Sequence, residues 1–350
     1  MKRILIVDDV KTNYLLLKIL LETEENFEVV GWSKDGVEAV AMTQQLQPDL
    51  ITMDLEMPNM NGLEATRTIM AAHPTPIVVV SSYVNEPQKN LTYNALNEGA
   101  LAVVEKPVSP MHPDYQRLSQ QLIKSLNTIA GLKLIKHKNN KKSQIIANNL
   151  KPSSQFITPS KYQLLAIGSS AGGPNALLTL LKDLPKDFPL PIVIVQHIHE
   201  GFLDGLVNWL QDSTKLSLKI ALEGEVLKMG NVYFAPDKNH LLIKQQANRQ
   251  LVVELNTHPP INGFQPSVSV LFESIAKNCA STSIGGILTG MGNDGGDGLL
   301  AMRNAKSHTF IQDEDSALVY GMPSYALKLG AVEKVINLDE MANYLCKVLD

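Results

Sequence analysis

The sequence predicts an α/β protein built from two doubly wound, parallel-sheet domains joined by a linker. Short apolar runs alternate with helix-length patterns from the N-terminus to about Ser125, and the alternation resumes beyond Tyr162. Between these halves no Asp or Glu occurs from Tyr115 to Lys182, and residues 133–142 form a basic run followed by an Asn/Ser/Lys-rich stretch without apolar period. At 350 residues the chain also exceeds what one core usually holds. The expected division is 1–125, a linker over 126–160, and 161–350. The basic run reads either as a solvated linker or as a docking patch for an acidic partner.

In the first part, apolar runs at 4–7, 29–32, 50–53, 77–80 and 101–104 predict five strands, with helices at about 11–24, 36–45, 62–72, 88–97 and 115–129. The polar residues that interrupt this pattern fall at strand ends: Asp8 and Asp9, Asp54, Ser81, and Lys106 before Pro107. Ligands bind at the carboxyl ends of the strands in an open parallel sheet. Three carboxylates meeting there repel unless a cation sits between them, and an oxygen-liganded Mg²⁺ suits that demand. A carboxylate can also act as a nucleophile and become an aspartyl-phosphate. Lys106 could then pair with the phosphoryl group, and the Ser81 hydroxyl could hydrogen-bond it. The plainer alternative is that all five only cap helices.

Ile6-Val7-Asp8-Asp9, the run from Met53 through Gly62, Ser81 and Lys106-Pro107 together resemble the receiver domain of two-component response regulators. The resemblance implies that Asp54 accepts phosphate from a histidine kinase, with Mg²⁺ held by Asp8, Asp9, Asp54 and the carbonyl of Glu56. Many receivers carry an aromatic residue three positions before the lysine; Val103 stands there.

The second part opens with an apolar run at 164–167, followed by Gly168-Ser169-Ser170-Ala171-Gly172-Gly173-Pro174 and a helical pattern over 175–181. Gly168, Ser170 and Gly172 fit the pattern that holds a serine on a sharp strand-to-helix turn, where the following N–H groups can hold an oxyanion. A glycine-rich phosphate loop or a simple turn has the same look. Strands at 191–196 and 283–289 end in Gln196-His197-Ile198-His199 and in Gly290-Met291-Gly292-Asn293-Asp294-Gly295. Runs at 232–234, 241–244 and 251–255 between them suggest a small antiparallel excursion. A serine, a histidine and an aspartate at three strand ends match what a hydrolase triad requires. Their chain order, Ser, His, Asp, is not that of the α/β-hydrolases.

Those motifs, with Phe234-Ala235-Pro236, Pro266-Ser267-Val268 and Val319-Tyr320-Gly321-Met322-Pro323, resemble the chemotaxis protein-glutamate methylesterases, whose members carry a receiver as well. The resemblance implies a flavodoxin-like receiver and a Rossmann-like three-layer α/β/α serine esterase. It makes Ser170 the nucleophile, His197 the base and Asp294 the orienting acid, with the backbone at Ala171 and Met291 near the oxyanion. It also implies methyl-ester hydrolysis and glutamine deamidation on methyl-accepting chemotaxis receptors, relief of receiver blockage by phosphorylation, and no cofactor for the esterase. Ala171 replaces the family's usual threonine, Ile198-His199-Glu200 its Met-Pro-Pro, and Ser269 its aspartate. His199 therefore competes with His197 for the base, and His197 is favoured because it follows the strand directly.

Composition is ordinary, with 44% hydrophobic and 19% charged residues, and a net charge of -4 argues against a nucleic-acid-coating protein. Cys279 and Cys346 lack ligand-like spacing, which suggests a reducing compartment and no structural zinc. With no signal-peptide layout and no apolar run long enough to span a bilayer, the expectation is a cytoplasmic monomer, peripheral to receptor arrays. Rival readings are an esterase for another protein, a non-enzymatic adaptor and a receiver-controlled transcription factor.

Overall fold

A computed structural model describes residues 1–82, 86–130 and 161–349, with the side chains of 86–91 excepted. The first domain runs β1 (Lys2–Val7), α1 (Lys11–Glu22), β2 (Phe27–Ser33), α2 (Gly36–Leu46), β3 (Leu50–Met53), α3 (Gly62–Ala72), β4 (Ile77–Ser81), α4 (Glu86–Asn97), β5 (Ala102–Glu105) and α5 (Tyr115–Ile129). Its five strands lie in the order β2-β1-β3-β4-β5, each pair parallel. The inner strands are apolar on both faces because helices cover both; every residue of β3 and β4 is buried. Asp35 and Asn61 start α2 and α3 by accepting from the amides of Glu38 and Glu64. Along α5, Leu118, Leu122, Leu126 and Ile129 recur at helical spacing and are all buried. The boundary expected at 125 thus falls inside a helix. The expected linker beyond Ala130, with its basic run, lies outside the described residues.

The second domain runs β6 (Leu164–Ser169), α6 (Gly173–Asp183), β7 (Ile192–Gln196), α7 (Leu203–Gln211), β8 (Ser217–Ile220), β9 (Asn231–Phe234), β10 (His240–Gln245), β11 (Leu251–Asn256), α8 (Val268–Asn278), β12 (Ser283–Ile287), α9 (Gly296–Asn304), β13 (His308–Gln312), α10 (Met322–Lys328), β14 (Lys334–Ile336) and α11 (Leu338–Leu349). Its parallel sheet has the order β14-β13-β12-β6-β7-β9-β8. Residues 232–234 correct the sequence reading. They are not part of an antiparallel excursion but form β9, parallel between β7 and β8, with Val232, Tyr233 and Phe234 buried as an interior strand requires. Among the described strands, β10 and β11 alone form an antiparallel ladder. The strand expected over 283–289 stops at Ile287, because Thr289 turns out of the ladder: its amide donates to Gln312 Oε1 and its hydroxyl to Ala171 O.

The two domains are packed through α4, which lies against α6 and α7. Tyr93 is buried there and its hydroxyl donates to Phe202 O. Asn175 Nδ2 donates to Leu96 O at 2.6 Å, and Trp209 Nε1 to Asn94 Oδ1 at 3.2 Å. One apolar cluster continues from Val79 and Val103 of the first sheet through Leu96 to Ala176 and Leu206. Among the described residues no helix is long and apolar enough to cross a membrane.

Candidate active site

The centre of the second sheet is β6, flanked by β12 and β7, so the three loops leaving these strands adjoin. After Ser169 the chain turns through Ser170, Ala171 and Gly172 into α6. Gly172 has φ 76°, which a side chain would strain, and the Gly173 amide closes the turn on Ser170 O at 2.8 Å. The β12 loop packs directly behind the serine: a Cβ added at Gly290 would stand 2.9 Å from Ser170 Cβ. Buried Gln196 ties two strand ends together. Its amide nitrogen donates to Ser170 O at 2.9 Å and to His197 O at 2.8 Å, while its oxygen accepts from Ser169 Oγ at 2.6 Å.

His197 Nε2 lies 2.9 Å from Asp294 Oδ2. The start of α8 surrounds that carboxylate: Ser267 Oγ donates at 2.8 Å, and the amides of Val268 and Ser269 donate at 2.7 and 3.1 Å. Burial pushes the Asp294 carboxyl up, but His197, then the Val268 amide and the Ser267 hydroxyl, outweigh it and hold the group down at about 2. An ionised carboxylate only accepts, so His197 carries its proton on Nε2. Nδ1 is buried, with no hydrogen-bond partner among the described residues. The His197 side chain lines the same cavity, about 350 Å³, as Ser170, Ala171 and Met291. Ser170 and His197 do not hydrogen-bond each other, so the serine–histidine half of the expected triad is adjacent but not joined. The amides of Ala171 and Met291 find no acceptor among the described residues, as an oxyanion site requires.

The opposite wall of this cavity belongs to the first domain and includes Val103, Lys124, Ser125 and Ile129. His199 turns toward it and pairs with Ser125 Oγ at 2.7 Å, not with Asp294. Burial, and then the Lys124 charge, bring the His199 imidazole down to about 4. Ser269, a departure from the resembled family's usual aspartate, accepts from the Gly295 amide at 2.8 Å. Sequence reasoning missed the roles of Ser267 and Phe264. The latter's ring stacks on His197, with centroids 4.1 Å apart and planes 8° from parallel. A helix-start signal at Pro266-Ser267 and a turn signal at Asn262-Gly263 were the available clues.

In the first domain, Asp8, Asp9 and Asp54 each offer one carboxylate oxygen, and these three atoms all lie within 4.8 Å of one another. Lys106 Nζ donates to Asp8 Oδ2 at 2.9 Å and to Asp54 Oδ2 at 2.6 Å. Burial pushes the Asp54 carboxyl above its usual value even with Lys106 beside it. Burial also opposes the Lys106 ammonium, yet the two carboxylates outweigh it and raise that group. Ser81 ends β4, its carbonyl accepting from the Lys106 amide at 2.8 Å. Glu56 follows on the exposed loop after Leu55. An all-oxygen set of this kind fits a hard divalent cation such as Mg²⁺.

An acidic, lysine-bearing domain packed over a domain with serine, histidine and aspartate at adjoining strand ends defines a class, the response-regulator hydrolases. A family model described as CheB methylesterase matches residues 165–345, and one described as response regulator receiver domain matches residues 4–112. The chain belongs to the CheB methylesterase family, with a receiver domain ahead of the methylesterase domain. It is 39% identical over 345 residues to the protein-glutamate methylesterase/protein-glutamine glutaminase 4 of Geobacter metallireducens, covering 99% of this chain and 98% of that one. The corresponding protein of Myxococcus xanthus is 39% identical over 350 residues, covering 98% and 96%. The crystal structure of the Thermotoga maritima CheB methylesterase catalytic domain superposes with a TM-score of 0.52 at 34% identity, over 53% of this chain and 98% of that one.

Proposed function

We propose that this chain is a receiver-controlled protein-glutamate methylesterase and protein-glutamine deamidase acting on methyl-accepting chemotaxis receptors, and so an adaptation enzyme of chemotaxis. The observation that carries the reading is the Asp294–His197 pair opening onto a cavity that Ser170 also borders. Ser170 Oγ attacks the ester carbonyl of a γ-glutamyl methyl ester while His197 Nδ1 takes its proton. The amides of Ala171 and Met291 hold the oxyanion. The proton on Nδ1 passes to the departing methoxide, releasing methanol. Water activated by the same nitrogen then cleaves the acyl-enzyme and restores glutamate. With a glutamine, ammonia leaves in place of methanol. No cofactor takes part in this scheme.

Asp54 is the phosphate acceptor, served by a histidine kinase, with Lys106 and Ser81 against the phosphoryl oxygens. Asp8, Asp9, Asp54 and the Glu56 carbonyl would hold Mg²⁺ there, which when bound offsets phosphoryl charge. The receiver walls off the Ser170 cavity, and phosphorylation shifts the population toward an arrangement in which receptor helices reach it. We take the protein to work as a cytoplasmic monomer, peripheral to receptor arrays and without a nucleic-acid partner.

The test is methanol release from methylated receptor membranes with acetyl phosphate present. Wild type should release it, and Ser170→Ala should lose at least about 10³-fold in rate. No release by phosphorylated wild type would contradict the reading and favour an esterase for another protein or a non-enzymatic adaptor.

A further inference from the structure

Among the described residues, the His197 imidazole is held by hydrogen bonding at only one end. Nε2 meets Asp294 at 2.9 Å, and Nδ1 has no partner. A ring held at one nitrogen can still rock about that bond. What fixes its plane is Phe264, lying flat against it at 4.1 Å and 8°. Phe264 itself sits on a locally determined platform. Ile261 and Phe264 exchange backbone hydrogen bonds of 3.0 and 2.9 Å around Asn262 (φ 51°) and Gly263 (φ 83°). Two consecutive left-handed residues make the tight turn that Asn-Gly favours above other dipeptides. On its far side, Lys124 of the receiver donates to Gly263 O at 3.3 Å.

We propose that Phe264 is a positioning residue for the base: its ring fixes the plane of the His197 imidazole beside the Ser170 cavity and stabilises the imidazolium that forms when the serine proton is taken. This rests on the reading of His197 as the base. Neutral imidazole gains only ordinary stacking from the ring face, whereas the cation gains an additional charge–quadrupole attraction. The difference appears only as charge develops, so it acts on kcat and not on substrate binding.

The test compares full-length wild type, Phe264→Leu and Phe264→Tyr in the presence of acetyl phosphate. It reads kcat and KM for methanol release and the ¹⁵N-histidine NMR spectrum, with His197→Gln used to assign the signal. Phe264→Leu, close in volume, should lower kcat about tenfold with KM within about twofold. Phe264→Tyr should restore kcat to within about threefold, since the ring face is kept. The His197 signal should report one Nε2–H tautomer in wild type and Phe264→Tyr, and an averaged ring in Phe264→Leu. An unchanged kcat in Phe264→Leu, or a loss that resides in KM with the tautomer unmoved, would overturn the proposal. If wild type releases no methanol the esterase reading fails instead, and the spectra alone decide whether Phe264 fixes the ring.

Discussion

Asp294 is the residue on which the geometry of the catalytic half converges. It is almost fully buried, and its carboxylate accepts from His197, Ser267, Val268 and Ser269. A folded-state value near 2, below the ordinary 3.8, means that its contribution to stability is present above about pH 4 and is lost as pH falls toward 2. The size is about 2 kcal/mol. Asp294→Asn should therefore flatten the acid-side fall in thermal stability relative to wild type between pH 4 and 2. At neutral pH its amide cannot hold the Nε2–H tautomer, and esterase kcat should drop about 10³–10⁴-fold. Equal acid sensitivity in the two proteins, or retained activity, would contradict this account of the residue. Ala171, where the resembled family usually has threonine, is held through its backbone, its carbonyl accepting from Thr289 Oγ1 at 2.9 Å.

At the scale of elements, the contact between α5 and the loop after β7 carries a pH dependence. His199 is paired with Ser125 and stands near Lys124, and its value is lowered from 6.5 to about 4. A histidine depressed by docking leaves the docked arrangement at full strength above about pH 6.5 and weakens it as pH falls toward 4. At pH 5.5 the open population should rise about tenfold over that at pH 8, seen as a larger radius of gyration by small-angle scattering. His199→Gln should remove the dependence; an identical response in that variant would exclude the histidine as its source. Elements whose start and period are both local were legible in the sequence: β3, α3 and α5 lie at the expected residues, with Asn61 as the cap of α3 and the Leu118–Leu122–Leu126 stripe of α5. β9 was not, since a three-residue apolar run does not say which strands it joins. Ser170, His197 and Asp294 were legible as polar breaks at strand ends. Phe264 and Ser267 were not, because they matter through contacts to His197 and Asp294, which only the folded chain brings near.

At the scale of the whole molecule, the receiver forms one wall of the cavity that Ser170 and His197 border. Among the described residues, the polar contacts that hold it there include Tyr93 to Phe202, Asn175 to Leu96, Trp209 to Asn94, Ser125 to His199 and Lys124 to Gly263. At about 1 kcal/mol net apiece, beside the shared apolar cluster, such an interface can be shifted by a change of a few kcal/mol. Placing a phosphoryl dianion beside Lys106, which now bridges Asp8 and Asp54, is a change of that order. The most direct measurement is the rate of methanol release from methylated receptor membranes with and without acetyl phosphate, by wild type and by Asp54→Asn. The account predicts at least about a tenfold rise for wild type, equal to about 1.4 kcal/mol, and no rise for Asp54→Asn. A wild-type rate indifferent to the phosphodonor, or an equal rise in Asp54→Asn, would contradict it.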